Sequence, residues 1–232
     1  MNFFLQNGRL LKKTFLILMP WVVISNQWDL FFSDKLENLL RSTEPLSSNA
    51  ILWLYGGLLL LGQLVFPLLL SLITLWGLSK HIALIHFIKN HTSLLFRETL
   101  RSWGKSLFWA LFFILPGLIR FFQLLLVPYV VVFSAPYQAG QLDAQKASTT
   151  YVGQRWKTFL AIFVVFNFFL PLFLTITFDE QRNLFETPLQ SLILSAVDTY
   201  LHLLCAQFIY MVFEKLQKKG DGHEFAISTP RN

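Results

Sequence analysis

The chain has 232 residues, of which 54% are hydrophobic and 14% charged, with a formal net charge of +6. Soluble domains carry about 25% charged residues, and this chain has too little polar surface to cover so much apolar material in one globular core. An ordinary soluble domain is thereby excluded, and a bilayer becomes the natural solvent. The Lys and Arg residues fall at the ends of apolar tracts, a pattern of membrane topology and contact with anionic lipid rather than of nucleic-acid binding. One cysteine, Cys205, rules out an intramolecular disulfide framework.

In chain order, Arg9, Lys12 and Lys13 precede an apolar run from Thr14 to Ile24, and Val23-Ile24-Ser25 resembles a signal cleavage site. The apolar character continues through Trp28, Leu30, Phe31 and Phe32, so the expectation is an uncleaved first helix near 14–32. Its outer end, with Asn26, Gln27 and Asp29, must face protein or the interface. A second helix is expected near 50–78, where Gly56, Gly57 and Gly62 permit close helix approach.

The third tract, 101–136, is too long for one span and holds Pro116-Gly117 near its middle. That pair suits either a kink or the turn of a hairpin. Loop charge discriminates, because cytoplasmic loops accumulate Lys and Arg. Residues 79–105 carry Lys80, Lys89, Arg97, Arg101 and Lys105 against Glu98, and residues 137–157 carry Lys146, Arg155 and Lys157 against Asp143. Both read as inside, together with the N-terminus and the tail bearing Lys215, Lys218 and Lys219. The segments 33–49 (Asp34, Glu37 and Glu44 against Lys35 and Arg41) and 178–189 (Asp179, Glu180 and Glu186 against Arg182) read as outside.

The chain between the two inside loops must therefore cross an even number of times. This favours a hairpin turning at Pro116-Gly117, with arms near 97–115 and 118–136 and Arg120 snorkelling to the outer interface. A re-entrant loop reaching part-way is the other solution, since the first arm is apolar only from about Ser106. Two further helices are expected near 158–177 and 190–213. The fold is thus an all-α polytopic transmembrane bundle of about six helices over 1–213, with both termini cytoplasmic and a short tail at 214–232.

Within the last helix, Asp198, His202 and Cys205 lie at spacings of four and three, with Ser191 and Ser195 on the same side. Intramembrane Asp and His suggest a proton or ion path, in company with Asn167 and Gln123. The plainer reading is that they hydrogen-bond across helices and fix the bundle. His81, His86 and His91 recur every five residues and share no helical face. Their loop interleaves Ile82, Ile85 and Ile88 with basic residues, as in a helix on anionic lipid or a segment packed over the bundle. A segment at 137–155 reads as an amphipathic helix with Asp143 and Lys146 paired at i, i+3. No cofactor is implied, and no Gly-x-Ser-x-Gly, His-Glu-x-x-His or phosphate-loop pattern occurs.

Pro116-Gly117-Leu118-Ile119, Val127-Pro128-Tyr129, Asp143-Ala144-x-Lys146-Ala147-Ser148 and Gly153-x-Arg155-Trp156 follow one another over about 40 residues. This stretch resembles the YciC-like group of bacterial multi-pass inner-membrane proteins. The resemblance implies a polytopic inner-membrane protein and supplies no catalytic residues. The expected function is accordingly a non-enzymatic structural, assembly or envelope-accessory component, touching anionic lipid through its basic loops and pairing with a membrane-protein partner or with its own copies. The alternative is a small transporter or channel using Asp198 and His202. A lipid-acting enzyme would need polar groups converging near one interface, and the candidates are scattered.

Overall fold

The computed structural model describes the backbone of residues 2–41, 50–79, 83–178 and 183–221, with side chains from Thr14 to Lys218 within them. Glu44, Lys80, His81, Ile82, Asp179 and Glu180 lie outside the described residues. The protein is all-α, and no strand occurs among the described residues. The elements are α1 (Asn2–Arg41), α2 (Ala50–Leu78), α3 (Leu84–Phe112), α4 (Ile114–Gln123), α5 (Val127–Phe133), α6 (Ala135–Gln138), α7 (Ala144–Gln154), α8 (Trp156–Val164), a π-helical turn (Val165–Phe169), α9 (Leu170–Phe178) and α10 (Pro188–Asp221).

Five helical stretches are long and apolar enough to cross a membrane: Thr14–Arg41, Ala50–Leu78, Ile114–Phe133, Trp156–Phe178 and Pro188–Lys218. The segment expected as a first hairpin arm at 97–115 is not among them. It belongs to α3, which starts at Leu84, thirteen residues earlier. Its buried residues Phe87, Leu95, Glu98, Thr99, Ser102 and Ser106 recur at three and four, so one face packs while Lys89, Arg97 and Arg101 stay outside. An amphipathic helix with that many cations cannot be a lipid-immersed span.

The expected arm at 118–136 is likewise divided, into α4 and α5 with a turn at Leu124–Leu126. Pro128 and Pro136 sit in the first turns of α5 and α6, where a missing N–H removes no helical hydrogen bond. The same logic relocates the hairpin turn. The chain reverses at Phe113, which is extended (φ −152°, ψ 125°), and Pro116-Gly117 falls inside the first turns of α4. Gly117 matters for packing instead, since a Cβ there would lie 2.5 Å from Ala110 Cβ and 2.6 Å from Ala110 Cα. Its bare Cα lets α4 close against the last turn of α3.

Prolines also shape the other long helices. Pro171 cannot donate to the carbonyl of Asn167, and the π-helical turn over Val165–Phe169 absorbs the disruption. Pro20 and Pro67 lie inside α1 and α2.

The chain forms two compact units. The first comprises residues up to Leu84 together with Val165–Leu204, hence α1, α2, α9 and the first half of α10. Here α1 packs along α2. Trp28 anchors that contact: its indole Nε1 donates to the Leu58 carbonyl at 3.0 Å, and the ring meets Phe32 and Phe66. The ring lies so close over Gly62 that a Cβ there would sit 2.4 Å from the indole nitrogen. The second unit comprises Ile85–Val164 and the chain from Cys205. Its core is Leu126, Val127, Val130, Val152 and Phe213, all at most 1% exposed, with Tyr129 and Tyr151 against the Phe213 ring.

Gly62→Ala forces the Trp28 indole off its seat and breaks its bond to Leu58. The expected cost is about 1–3 kcal/mol, as for other overpacking substitutions, read as a lowered midpoint in detergent unfolding. A wild-type midpoint would show that α1 and α2 do not meet there.

Candidate functional site: a basic cleft behind an apolar hairpin

In the first unit the polar residues of α10 form one stripe: Ser191, Ser195, Asp198 and His202, at intervals of four, three and four. Gln27 Nε2 donates to Ser191 Oγ at 3.5 Å, and Gln27 Oε1 accepts from the Leu184 amide at 3.2 Å. Asn26 Nδ2 lies 3.4 Å from both Ser195 Oγ and Asp198 Oδ2. His202 Nε2 is 3.1 Å from Thr74 Oγ1, whose proton goes to the Leu70 carbonyl at 2.7 Å. Thr74 is therefore the acceptor and the His202 Nε2 carries hydrogen. Asn26 and Gln27, puzzling on a lipid-facing helix, thus face α10, and Asp198 and His202 hold α1 and α2.

Cys205, one turn further along α10, is buried in the second unit. Asn167 lies on the exposed π-helical turn. Gln123 belongs to the second unit and there accepts from Arg120 Nη1 at 3.1 Å. Among the described residues, no group of three or more His, Cys, Asp or Glu side chains is arranged to hold a metal ion.

The second unit contains an open cleft of about 650 Å³ lined by Arg101, Lys105 and Trp109 of α3, Arg120 of α4, and Gln145, Lys146 and Thr149 of α7, with Asp143 at its edge. Arg101, Lys105 and Trp109 share one face of α3 at intervals of four. Asp143 caps α7 by accepting from the backbone N–H groups of Gln145 (2.9 Å) and Lys146 (3.0 Å). The expected Asp143–Lys146 pairing is thus made by the Lys146 backbone, and the Asp143 carboxylate instead meets Arg101 Nη1 at 3.2 Å. Burial pushes the Asp143 carboxyl up, but the two amides and the Arg101 guanidinium outweigh it and hold its pKa below the ordinary value. Glu98, nearly buried, lies 3.5 Å from Arg97 Nε and 3.4 Å from Arg101 Nη1.

The other cations are braced by neutral groups. Lys105 Nζ donates to Gln145 Oε1, and Arg120 to Gln123 Oε1. Four cations against Asp143 leave the lining at +3. Ser148 of α7, fully buried, donates to the Gln123 carbonyl (2.8 Å) and accepts from the Leu126 amide (3.1 Å). One hydroxyl thereby joins α7 to the break between α4 and α5.

Beyond the cleft the hairpin is a wedge of exposed apolar side chains, including Leu107, Phe112, Phe113 and Leu115. Leu111 and Ile114 are the extreme cases at 83% and 84% exposed. Arg120 lines the same cleft as Arg101 and Lys105. The helical histidines take ordinary roles: His86 Nε2 is 2.9 Å from Asn90 Nδ2, and the His91 ring rests 4.7 Å from that of Phe87. No family model matches the chain, and comparison with curated proteins and with solved structures also finds no match.

Sequence reasoning reads the cleft cations singly, as topology markers. The signal that joins them is the i, i+4, i+8 run Arg101, Lys105, Trp109 together with Lys146 and Thr150 on α7. Gln145 and Ser148 carry no signal outside the folded chain.

The Asp143 cap makes two predictions. Asp143→Ala is expected to cost about 1 kcal/mol at neutral pH, and Asp143→Asn less, because Asn still caps. A depressed folded pKa means that the ionic contribution is complete above the unfolded pKa, near 3.9, and is lost as pH falls through the folded value. Denaturant unfolding as a function of pH should therefore show Asp143→Asn converging on wild type in acid. A constant gap down to the lowest pH would contradict the assignment.

Proposed function

We propose that this chain is a non-enzymatic structural or envelope-accessory protein of the bacterial inner membrane, with four full crossings and one re-entrant hairpin. The observation that carries the reading is the shared cleft of Lys105 and Arg120. Lys105 lies eight residues before the Phe113 turn and Arg120 seven residues after it, about 10–12 Å along each helix at 1.5 Å per residue. A hydrocarbon core is about 30 Å thick, so a tip that reached the far interface would drag both cations deep into lipid. A tip that dips into one leaflet leaves them among the headgroups.

Charge counting agrees, because the inside loops require an even number of crossings between them, and none satisfies that as well as two. The crossings are then α1, α2, the α8–α9 stretch and α10, with both termini cytoplasmic. An architectural role for Asp198 and His202 is supported by their hydrogen bonds to Asn26 and Thr74. The resemblance to the YciC-like group is compatible with this reading.

Two measurements test it. In a Cys205→Ala background, cysteine at Phe185 should react with an impermeant thiol reagent from outside intact cells, and cysteine at Phe113 should not. Reaction at Phe113 would put the tip across the membrane. Asp198→Asn retains an acceptor for Asn26 and should leave stability within about 0.5 kcal/mol of wild type, whereas Asp198→Leu should cost about 1 kcal/mol. Proton or ion uptake into proteoliposomes that vanishes in Asp198→Asn would replace the architectural role with transport.

A further inference from the structure

We propose that the basic cleft is a binding site for the phosphate headgroup of an anionic phospholipid drawn from the leaflet into which the hairpin dips, and this rests on the re-entrant topology. Three features of the cleft converge on that ligand. The first is charge: Arg101, Lys105, Arg120 and Lys146 face Asp143 alone among the lining residues, an excess of +3. Among the described residues, Arg101 is the one cleft cation with a carboxylate partner within 4 Å; Lys105 and Arg120 meet neutral amide oxygens, and no ion pair of Lys146 occurs there. Cations braced by neutral groups keep their charge available to an incoming anion.

The second feature is an unsatisfied donor. Gln145 is 5% exposed and spends its Oε1 on Lys105, while its Nε2 has no hydrogen-bond partner among the described residues. A buried amide N–H₂ without an acceptor is costly, and this one belongs to a side chain that lines the cleft beside Lys105. A cation would be repelled, and a neutral sugar would leave the charge unanswered.

The third feature is the wall. The cleft gives onto Trp109, and further along the same helices lie Leu107, Leu111, Phe112 and Ile114, all exposed. A soluble phosphate has no use for an apolar wedge. A phospholipid uses both, with its headgroup among the cations and its acyl chains along the hairpin. The cleft volume of about 650 Å³ accommodates a headgroup and leaves the chains outside.

The experiment uses the full chain purified in mild detergent, with bound lipid counted by native mass spectrometry during titration with phosphatidylglycerol or phosphatidylcholine. Phosphatidylglycerol should bind preferentially. Lys105→Gln/Arg120→Gln/Lys146→Gln should weaken it by about tenfold or more, given the usual contribution of each basic residue at an anionic surface. A control with the same loss of charge outside the cleft, Lys89→Gln/Lys157→Gln/Lys215→Gln, should change it by less than about twofold, because exposed charges away from the bound headgroup are screened by salt. Thr150→Glu places a carboxylate on the exposed rim and gives up only the hydroxyl's bond to the Lys146 carbonyl within α7, so it should abolish the preference even if the triple variant folds poorly.

Equal losses in the cleft and control variants would overturn the site in favour of diffuse surface charge. Unchanged binding in Thr150→Glu would overturn it as well. Displacement of phosphatidylglycerol by inorganic phosphate at equal concentration would show a soluble-anion site and overturn the lipid assignment. The topology fails separately: outside labelling at Phe113 with the lipid preference intact would sink the re-entrant hairpin and leave a headgroup site facing the other leaflet.

Discussion

The constraint on which the second unit depends is that a guanidinium or ammonium group must stay near water or phosphate while the apolar chain beside it is free to enter lipid. Between Arg101 and Arg120 the chain carries twelve successive positions, 107–118, with only Pro116 and Gly117 interrupting large or apolar side chains. The large apolar side chains among them are mostly exposed, and the cations at either end line one cleft. A tight reversal satisfies both demands. The extended Phe113 makes the turn, and Gly117 removes the one Cβ that would stop α4 from closing on Ala110. Gly117 is thus a packing residue first, and the neighbouring proline is tolerated because it occupies a first turn.

The first unit answers the opposite problem, polar groups set within an apolar helix. Asn26 and Gln27 of α1 would be expensive against lipid and are turned to Ser191, Ser195 and Asp198 of α10. Each such bond contributes little individually, of order 0.6 kcal/mol in transmembrane helices, yet the stripe specifies register. Sliding α10 by one residue would rotate it about 100° and bring apolar side chains to Asn26 and Gln27. Trp28 and Gly62 add a steric lock to the adjoining α1–α2 contact.

Much of this is legible in the sequence. The all-α membrane class follows from composition, and tract lengths locate α2 and the α8–α9 stretch to within two residues, whereas α1 runs on at both ends and α10 continues eight residues past its expected end. The hairpin turn lies four residues from the position expected, because a Pro-Gly pair satisfies the chemistry of a turn and of a helix start equally well, and only the contact with Ala110 separates them. The helix α3 is obscured because its buried face includes Glu98, Thr99, Ser102 and Ser106; such residues read as polar loop until the Ser102 and Ser106 hydroxyls are seen to bond to backbone carbonyls one turn back. Of the proposed polar site, Asp198 and His202 are recognisable from spacing alone, whereas their partners Asn26 and Thr74 are distant in sequence. Gln123 belongs to the second unit and braces Arg120 there, and glutamine reads the same whether it lines a path or braces an arginine.

The central claim is that the hairpin enters one leaflet and turns back. A spin label at Ile114, in the Cys205→Ala background and reconstituted into liposomes, measures it through relative collision rates with oxygen and a polar nickel complex. The account predicts a label about 10 Å beyond the phosphates on the side of Lys105, from the helical rise between cleft and tip, inside hydrocarbon and short of the midplane. A label at headgroup depth on the opposite face would contradict it.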